Sequence, residues 1–199
     1  MRAMVSLTAE QITARRPSLV VVGGSAGAVE VLQRLTSQLT TSFSPAMVVV
    51  LHMPPGSRGV LHELLASPSR PPMKVAEDKE PIAPGSIYFA TPGYHLLVEG
   101  DGTFALSLDE LVHFSRPSID VLFETAAEAY GDRVVGVILS GANSDGAEGL
   151  RTIAKAGGAT VIQEPASAEV PTMPQAALKA CRDSYVADAA AIARLLASL

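Results

Sequence analysis

The chain has 199 residues, 48% hydrophobic and 18% charged, a length and balance suited to one domain that buries its core without disulfide or metal staples. A formal charge of −5 argues against nucleic-acid binding through phosphate contacts and against adhesion to anionic membranes. The lone Cys181 excludes an internal disulfide and reads as a small buried hydrophobe, and with no membrane-length apolar run and no signal-peptide core the expected location is the cytoplasm.

Residues 1–18 end in Arg15-Arg16-Pro17-Ser18 and read as a flexible lead-in to a single domain over 19–199. The run Leu19-Val20-Val21-Val22 predicts a strand buried on both faces, followed by a glycine-rich turn and a helix marked by Val29, Val31, Leu32, Leu35 and Leu39. A second such strand, Met47–Leu51, leads into His52-Met53-Pro54-Pro55-Gly56 and a short helix near Val60–Leu65. Residues 67–112 are rich in proline and read as short strands and hairpins laid against the sheet, including Ile87–Phe89, His95–Val98 and a return over Thr103–Leu108 after Gly100-Asp101-Gly102.

A helix over Ile119–Ala129 ends at Gly131, and the third buried strand, Val134–Leu139, runs into Ser140-Gly141-Ala142-Asn143-Ser144-Asp145-Gly146. A helix over Ala147–Ala156, a strand over Ala159–Gln163 and helices near Gln175–Ala180 and Ala189–Leu196 complete the chain. The fold class is α/β, doubly wound, with a mainly parallel sheet flanked by helices and a small antiparallel hairpin annex.

Three of the buried strands thus lead into different polar residues, Ser25, His52 and Asp145. Sites on parallel sheets form at the strands' carboxyl ends, so an alcohol, an imidazole and a carboxylate have one place to meet. Gly23-Gly24-Ser25-Ala26-Gly27 has the G-x-S-x-G spacing of a nucleophile elbow, and the N–H groups of Ala26 and Gly27 are candidate oxyanion donors. Read alone, Ser25 serves equally well as a helix N-cap, and so does Asp145 ahead of its helix.

A dinucleotide site is disfavoured, because the G-x-G-x-x-G frame from Gly23 finds Ser25 and Ala28 at glycine positions and His52 stands where an acidic residue is expected. No cofactor is expected. No metal is expected either, since the histidines are scattered and no ligand spacing stands out. Of the four histidines, His62 falls on a helix and is expected to be exposed, while His95 and His113 lie in the irregular middle with surface and substrate-lining roles both open.

The chain resembles the catalytic domain of bacterial chemotaxis protein-glutamate methylesterases, the CheB family. The matching stretches are Gly24-Ser25-Ala26-Gly27, Leu51-His52-Met53-Pro54-Pro55-Gly56, Ala76-Glu77-Asp78, Pro84-Gly85, Arg116-Pro117-Ser118-Ile119-Asp120-Val121-Leu122-Phe123, Gly136-Val137-Ile138-Leu139-Ser140-Gly141, Asp145-Gly146-Ala147 and Met173-Pro174. The resemblance implies hydrolysis of γ-glutamyl methyl esters on chemoreceptor signalling helices, with deamidation of glutamines there as a companion activity. It puts Ser25 as nucleophile, His52 as general base and then acid, and Asp145 as the orienting carboxylate. It implies no cofactor.

Where the family usually reads threonine-glycine-methionine-glycine this chain has Ser140-Gly141-Ala142-Asn143, so Ala142 occupies a position that borders the pocket. Ala26, Ala28 and Ser115 also depart from the usual residues. Arg58 and the loop Pro54-Pro55-Gly56 are candidate substrate contacts. Well-known members carry an N-terminal receiver domain, for which the eighteen residues before the first strand are too few, so regulation is expected to come from a separate response regulator or to be absent. Two rival readings keep the fold: a hydrolase for another ester, or a catalytically weak binding module docking on a receptor or response regulator.

Overall fold

A computed structural model describes residues 6–53 and 61–199. In chain order the elements are α1 (Ala9–Ala14), β1 (Leu19–Gly24), α2 (Ala28–Ser37), β2 (Ala46–Leu51), α3 (Leu61–Leu65), β3 (Met73–Val75), β4 (Ile87–Phe89), β5 (His95–Val98) and β6 (Phe104–Ser107). There follow α4 (Ile119–Tyr130), β7 (Val134–Ile138), α5 (Ala147–Lys155), β8 (Ala159–Gln163), α6 (Thr172–Ala180), β9 (Tyr185–Ala187) and α7 (Ala189–Ala197). Seven strands make one parallel sheet in the order β3-β4-β2-β1-β7-β8-β9, and β5 and β6 pair antiparallel as a separate hairpin.

Alternation along the strands explains the two helical layers. Leu19, Val21, Val48, Val50 and Ile138 point to the face covered by α4, α5, α6 and the hairpin. Val20, Val22, Met47, Val49, Val135 and Val137 point to the opposite face, where Leu32, Leu35, Ile192 and Leu196 of α2 and α7 meet them. Leu122 and Phe123 fasten α4 to the first face, each fully buried and contributing roughly 1.5–3 kcal/mol of apolar burial. That anchoring fixes the N-terminus of α4 against the sheet's carboxyl edge.

Several expectations are refined. The lead-in contains α1, whose Thr8 and Gln11 form a reciprocal capping box and whose Ile12 is buried. Ile87–Phe89, expected among the short strands laid against the sheet, is β4 and joins the main sheet itself beside β2. The edge strands β3 and β9 have three residues each, too few to show a period in the sequence. His62 is half-buried and stands 3.9 Å from Glu63.

Candidate active site

Outward from β1, the chain runs to β2, β4 and β3 on one side and to β7, β8 and β9 on the other, so the winding reverses beside β1. The loops after β1 and β7 meet there, outside the strands' carboxyl ends, the usual position of a site in this architecture. Ser25 lies in the first loop, Asp145 in the second, and His52 directly after β2.

Backbone ladders continue past the strand ends and hold these residues together. Gly24 is in register with Leu51, and the next N–H along, that of His52, donates to the Gly24 carbonyl at 3.0 Å. On the other side the Ser25 N–H donates to the Ser140 carbonyl at 2.9 Å. Ser25 and His52 therefore stand on neighbouring chains at about the 4.8 Å spacing of adjacent strands.

The serine is not a helix cap. Gly27 is the N-cap of α2, with φ 75°, and makes no side-chain capping bond. Among the described residues Ser25 Oγ has no hydrogen-bond partner, and neither do the N–H groups of Ala26 and Gly27. A Cβ on Gly27 would stand 2.7 Å from Glu169 Cβ and 2.8 Å from Ser140 Oγ, so both the turn's conformation and its crowding call for glycine. Ala26 is exposed at the mouth of the turn.

Asp145 is fully buried and does cap a helix, but not the one that follows it. Its Oδ1 accepts from Ser118 Oγ at 2.9 Å and from the Asp120 N–H at 3.0 Å, and its Oδ2 accepts from the Ile119 N–H at 2.7 Å. These donors form the first turn of α4, whose N-cap is Ser118. The fourth donor is His52, whose Nε2 lies 2.8 Å from Asp145 Oδ2. Burial alone would raise the Asp145 pKa, but the bonds from His52, Asp120, Ile119 and Ser118 outweigh it and hold the carboxyl below its ordinary 3.8.

Because the carboxylate can only accept, His52 carries its proton on Nε2 and leaves Nδ1 as the basic nitrogen. Asn143 Nδ2 approaches that nitrogen at 3.4 Å. Asn143 also accepts from the Asp145 N–H at 3.2 Å, bracing the loop from inside. Ala142 sits exposed on the same loop. Arg58 and Pro54-Pro55-Gly56 lie outside the described residues.

Behind the carboxylate, Asp120 Oδ1 accepts from the Gly149 N–H at 2.7 Å and Oδ2 lies 3.2 Å from His113 Nε2. Burial pushes the Asp120 carboxyl up to about 6, with the neighbouring Asp145 charge adding to the shift. Ligand atoms of His113, Asp120 and Asp145 fall within 4.8 Å of one another. Both Asp145 oxygens are already occupied by two donors each, so a cation there would have to break the hydrogen bonds that orient His52.

Sequence reasoning singles out Ser25, His52 and Asp145, and the fold brings all three to the same edge of the sheet. It gives no role to Ser118, Asp120 or Ser140 and leaves that of His95 open. Ser118 has a readable signal, a serine directly before an apolar helical run, but nothing local tells that its helix receives a carboxylate from a loop 27 positions away.

A parallel α/β domain with an alcohol, an imidazole and a buried carboxylate at its switch point has the arrangement used by serine hydrolases. The CheB methylesterase family model matches residues 20–196, and the chain belongs to that family. It is 46% identical over 180 residues to a putative protein-glutamate methylesterase/protein-glutamine glutaminase of Leptospira interrogans, covering 90% of this chain and 93% of that relative. It is 38% identical over 181 residues to protein-glutamate methylesterase/protein-glutamine glutaminase 2 of Methanospirillum hungatei, covering 91% of this chain and 52% of that relative. The catalytic domain of Thermotoga maritima CheB methylesterase superposes with a TM-score of 0.86 at 32% identity, covering 91% of this chain and 97% of that one.

Proposed function

We propose that this protein hydrolyses methyl esters of glutamate side chains on the cytoplasmic signalling helices of chemoreceptors, and that Ser25, His52 and Asp145 are its catalytic triad. The catalytic unit is residues 19–199, acting in the cytoplasm. The observation that carries the reading is the 2.8 Å bond from His52 Nε2 to a carboxylate buried on the first turn of α4, one strand away from Ser25.

The chemistry follows from that bond. Ser25 Oγ attacks the ester carbonyl while His52 Nδ1 takes its proton, and the imidazolium that forms is stabilised by Asp145. The oxyanion is met by the N–H groups of Ala26 and Gly27, at the positive end of α2. Collapse of the tetrahedral intermediate breaks the bond to the methoxy oxygen, which leaves as methanol with the proton from His52. Water then attacks the acyl-enzyme with His52 again as base, releasing glutamate and restoring Ser25. With a glutamine side chain the same steps release ammonia, and this accounts for deamidation as a second activity.

Among the described residues no helix is long and apolar enough to cross a membrane. A separate response regulator is the proposed source of control. The test is methanol release from a methylated receptor fragment by the parent protein and by Ser25→Ala. Equal rates would refute the triad, and hydrolysis of a simple aryl ester with none of the receptor ester would transfer the activity to another substrate.

A further inference from the structure

His95 opens the first strand of the hairpin and is only 2% exposed. Both of its ring nitrogens are used. Nε2 lies 2.9 Å from the Glu110 carbonyl oxygen, which only accepts, and Nδ1 lies 3.2 Å from the Ser118 backbone nitrogen, which only donates. The two partners together specify a neutral ring with its proton on Nε2.

Ser118 is the next link. It is fully buried, its N–H is held by His95, and its hydroxyl donates to Asp145 Oδ1 at 2.9 Å. Asp145 in turn fixes His52. A continuous run of hydrogen bonds therefore joins the hairpin to the basic imidazole, through His95, Ser118, Asp145 and His52. The hairpin has no strand in the main sheet, so this run is a direct mechanical tie between it and His52.

We propose that His95 is a positioning residue for the esterase reaction, holding Ser118 so that its hydroxyl and the first turn of α4 keep the Asp145 carboxylate aimed at His52. This rests on the triad assignment made above. His95 touches no substrate. Its contribution is the orientation of a carboxylate two links away, so it acts on turnover and not on substrate affinity.

The two nitrogens can be tested separately. Asparagine places an amide oxygen near the Nδ1 position and keeps the Ser118 side of the link, whereas glutamine places an amide nitrogen near the Nε2 position and keeps the Glu110 side. His95→Gln is expected to lower kcat for methanol release by about tenfold with KM unchanged, the size of one lost buried hydrogen bond acting on the transition state. His95→Asn is expected to recover most of that loss. On a Ser118→Ala background, His95→Gln should lower kcat by less than it does alone, because the hydroxyl it aims is gone and only the first turn of α4 is left to displace.

Equal losses of kcat in the asparagine and glutamine variants, or full additivity with Ser118→Ala, would overturn the proposal and leave His95 as core packing. If the glutamine variant does not fold, the asparagine variant decides alone: a native melting temperature with kcat down more than tenfold is the overturning result. A fully active Ser25→Ala would instead sink the triad itself, so the two failures are distinguishable.

Discussion

The Ser140 hydroxyl donates to the Ala26 carbonyl oxygen at 2.7 Å and accepts from the Val170 N–H at 2.9 Å, locking the loop after β7 to the turn that carries Ser25. The Ser140 backbone takes part as well, accepting from the Ser25 N–H and donating to the buried Gln163 side chain at 2.9 Å. One fully buried serine thus holds the nucleophile's turn from behind. Ser140→Ala leaves a carbonyl and an N–H without their partner and is expected to cost about 1–3 kcal/mol in urea unfolding. The same variant should lower kcat with KM little changed, because a displaced Ser25 loses alignment before it loses substrate.

Gly27 is constrained from two sides, and the same turn supplies a second prediction. At φ 75° a side chain is strained by roughly 1–2 kcal/mol, and here a Cβ would also collide with Glu169 Cβ at 2.7 Å. Gly27→Ala should therefore unfold at lower denaturant concentration and lose more activity than its stability loss explains. An alanine variant with unchanged kcat would show that the turn relaxes freely and that its N–H groups do not hold the oxyanion.

The central strands are legible in the sequence because a strand buried on both faces must be apolar at every position, and β1, β2 and β7 are. The positions of Ser25, His52 and Asp145 follow from where those runs end. The support around them is not legible, since it depends on how separate layers pack. Asp145 reads locally as a cap for the helix it precedes, yet it caps α4, whose first turn is 25 to 27 positions earlier. His95 reads as one histidine in an irregular stretch, and only the docking of the hairpin on α4 brings its Nδ1 to Ser118, 23 positions on.

Asp120 and Asp145 respond to pH in opposite directions. Asp120 has its folded pKa raised from 3.8 to about 6, so the folded state binds a proton more tightly than the unfolded chain and stability is lost as pH rises from about 4 to about 6. Asp145 has its folded pKa lowered, so its contribution is present above 3.8 and is lost as pH falls through the folded value. Asp120→Asn removes only the first effect while its amide oxygen still accepts from the Gly149 N–H. Urea midpoints measured across that window should be flatter with pH in Asp120→Asn than in the parent, and higher near pH 7. A parent profile that keeps rising from pH 4 to 6 with the same slope in the variant would contradict the burial argument.

Cys181 ends α6 and is 7% exposed. Burial pushes its thiol up to about 11, against an ordinary 9.0, so almost no thiolate forms at neutral pH and access is blocked as well. In the folded protein at pH 8 it should react with iodoacetamide far more slowly than a free thiol, and unfolding in urea should restore the ordinary rate. Cys181→Ala should leave methanol release unchanged and cost stability through the cavity alone. Rapid labelling of the native protein would mean that the α6 terminus opens readily.

Asp145→Asn gives the sharpest test of how the carboxylate works. Four donors converge on its two oxygens, and an amide supplies one oxygen and one NH2 group, so at least one pair of donors would face another donor. The least costly relief is for His52 to give up the proton on Nε2 and carry it on Nδ1, which removes the basic nitrogen that Ser25 needs. A comparable tautomer change in the serine-protease triad lowers kcat by about 10⁴, and a loss of about 10³–10⁴ is expected here. The remaining N–H groups of α4 would also lose their counter-charge, so unfolding should become easier by about 1–3 kcal/mol. Nitrogen NMR of the His52 ring separates the causes: a switch of the protonated nitrogen from Nε2 to Nδ1 supports the tautomer argument, while an unchanged tautomer with the same loss of kcat would show that charge, and not proton placement, is what Asp145 provides.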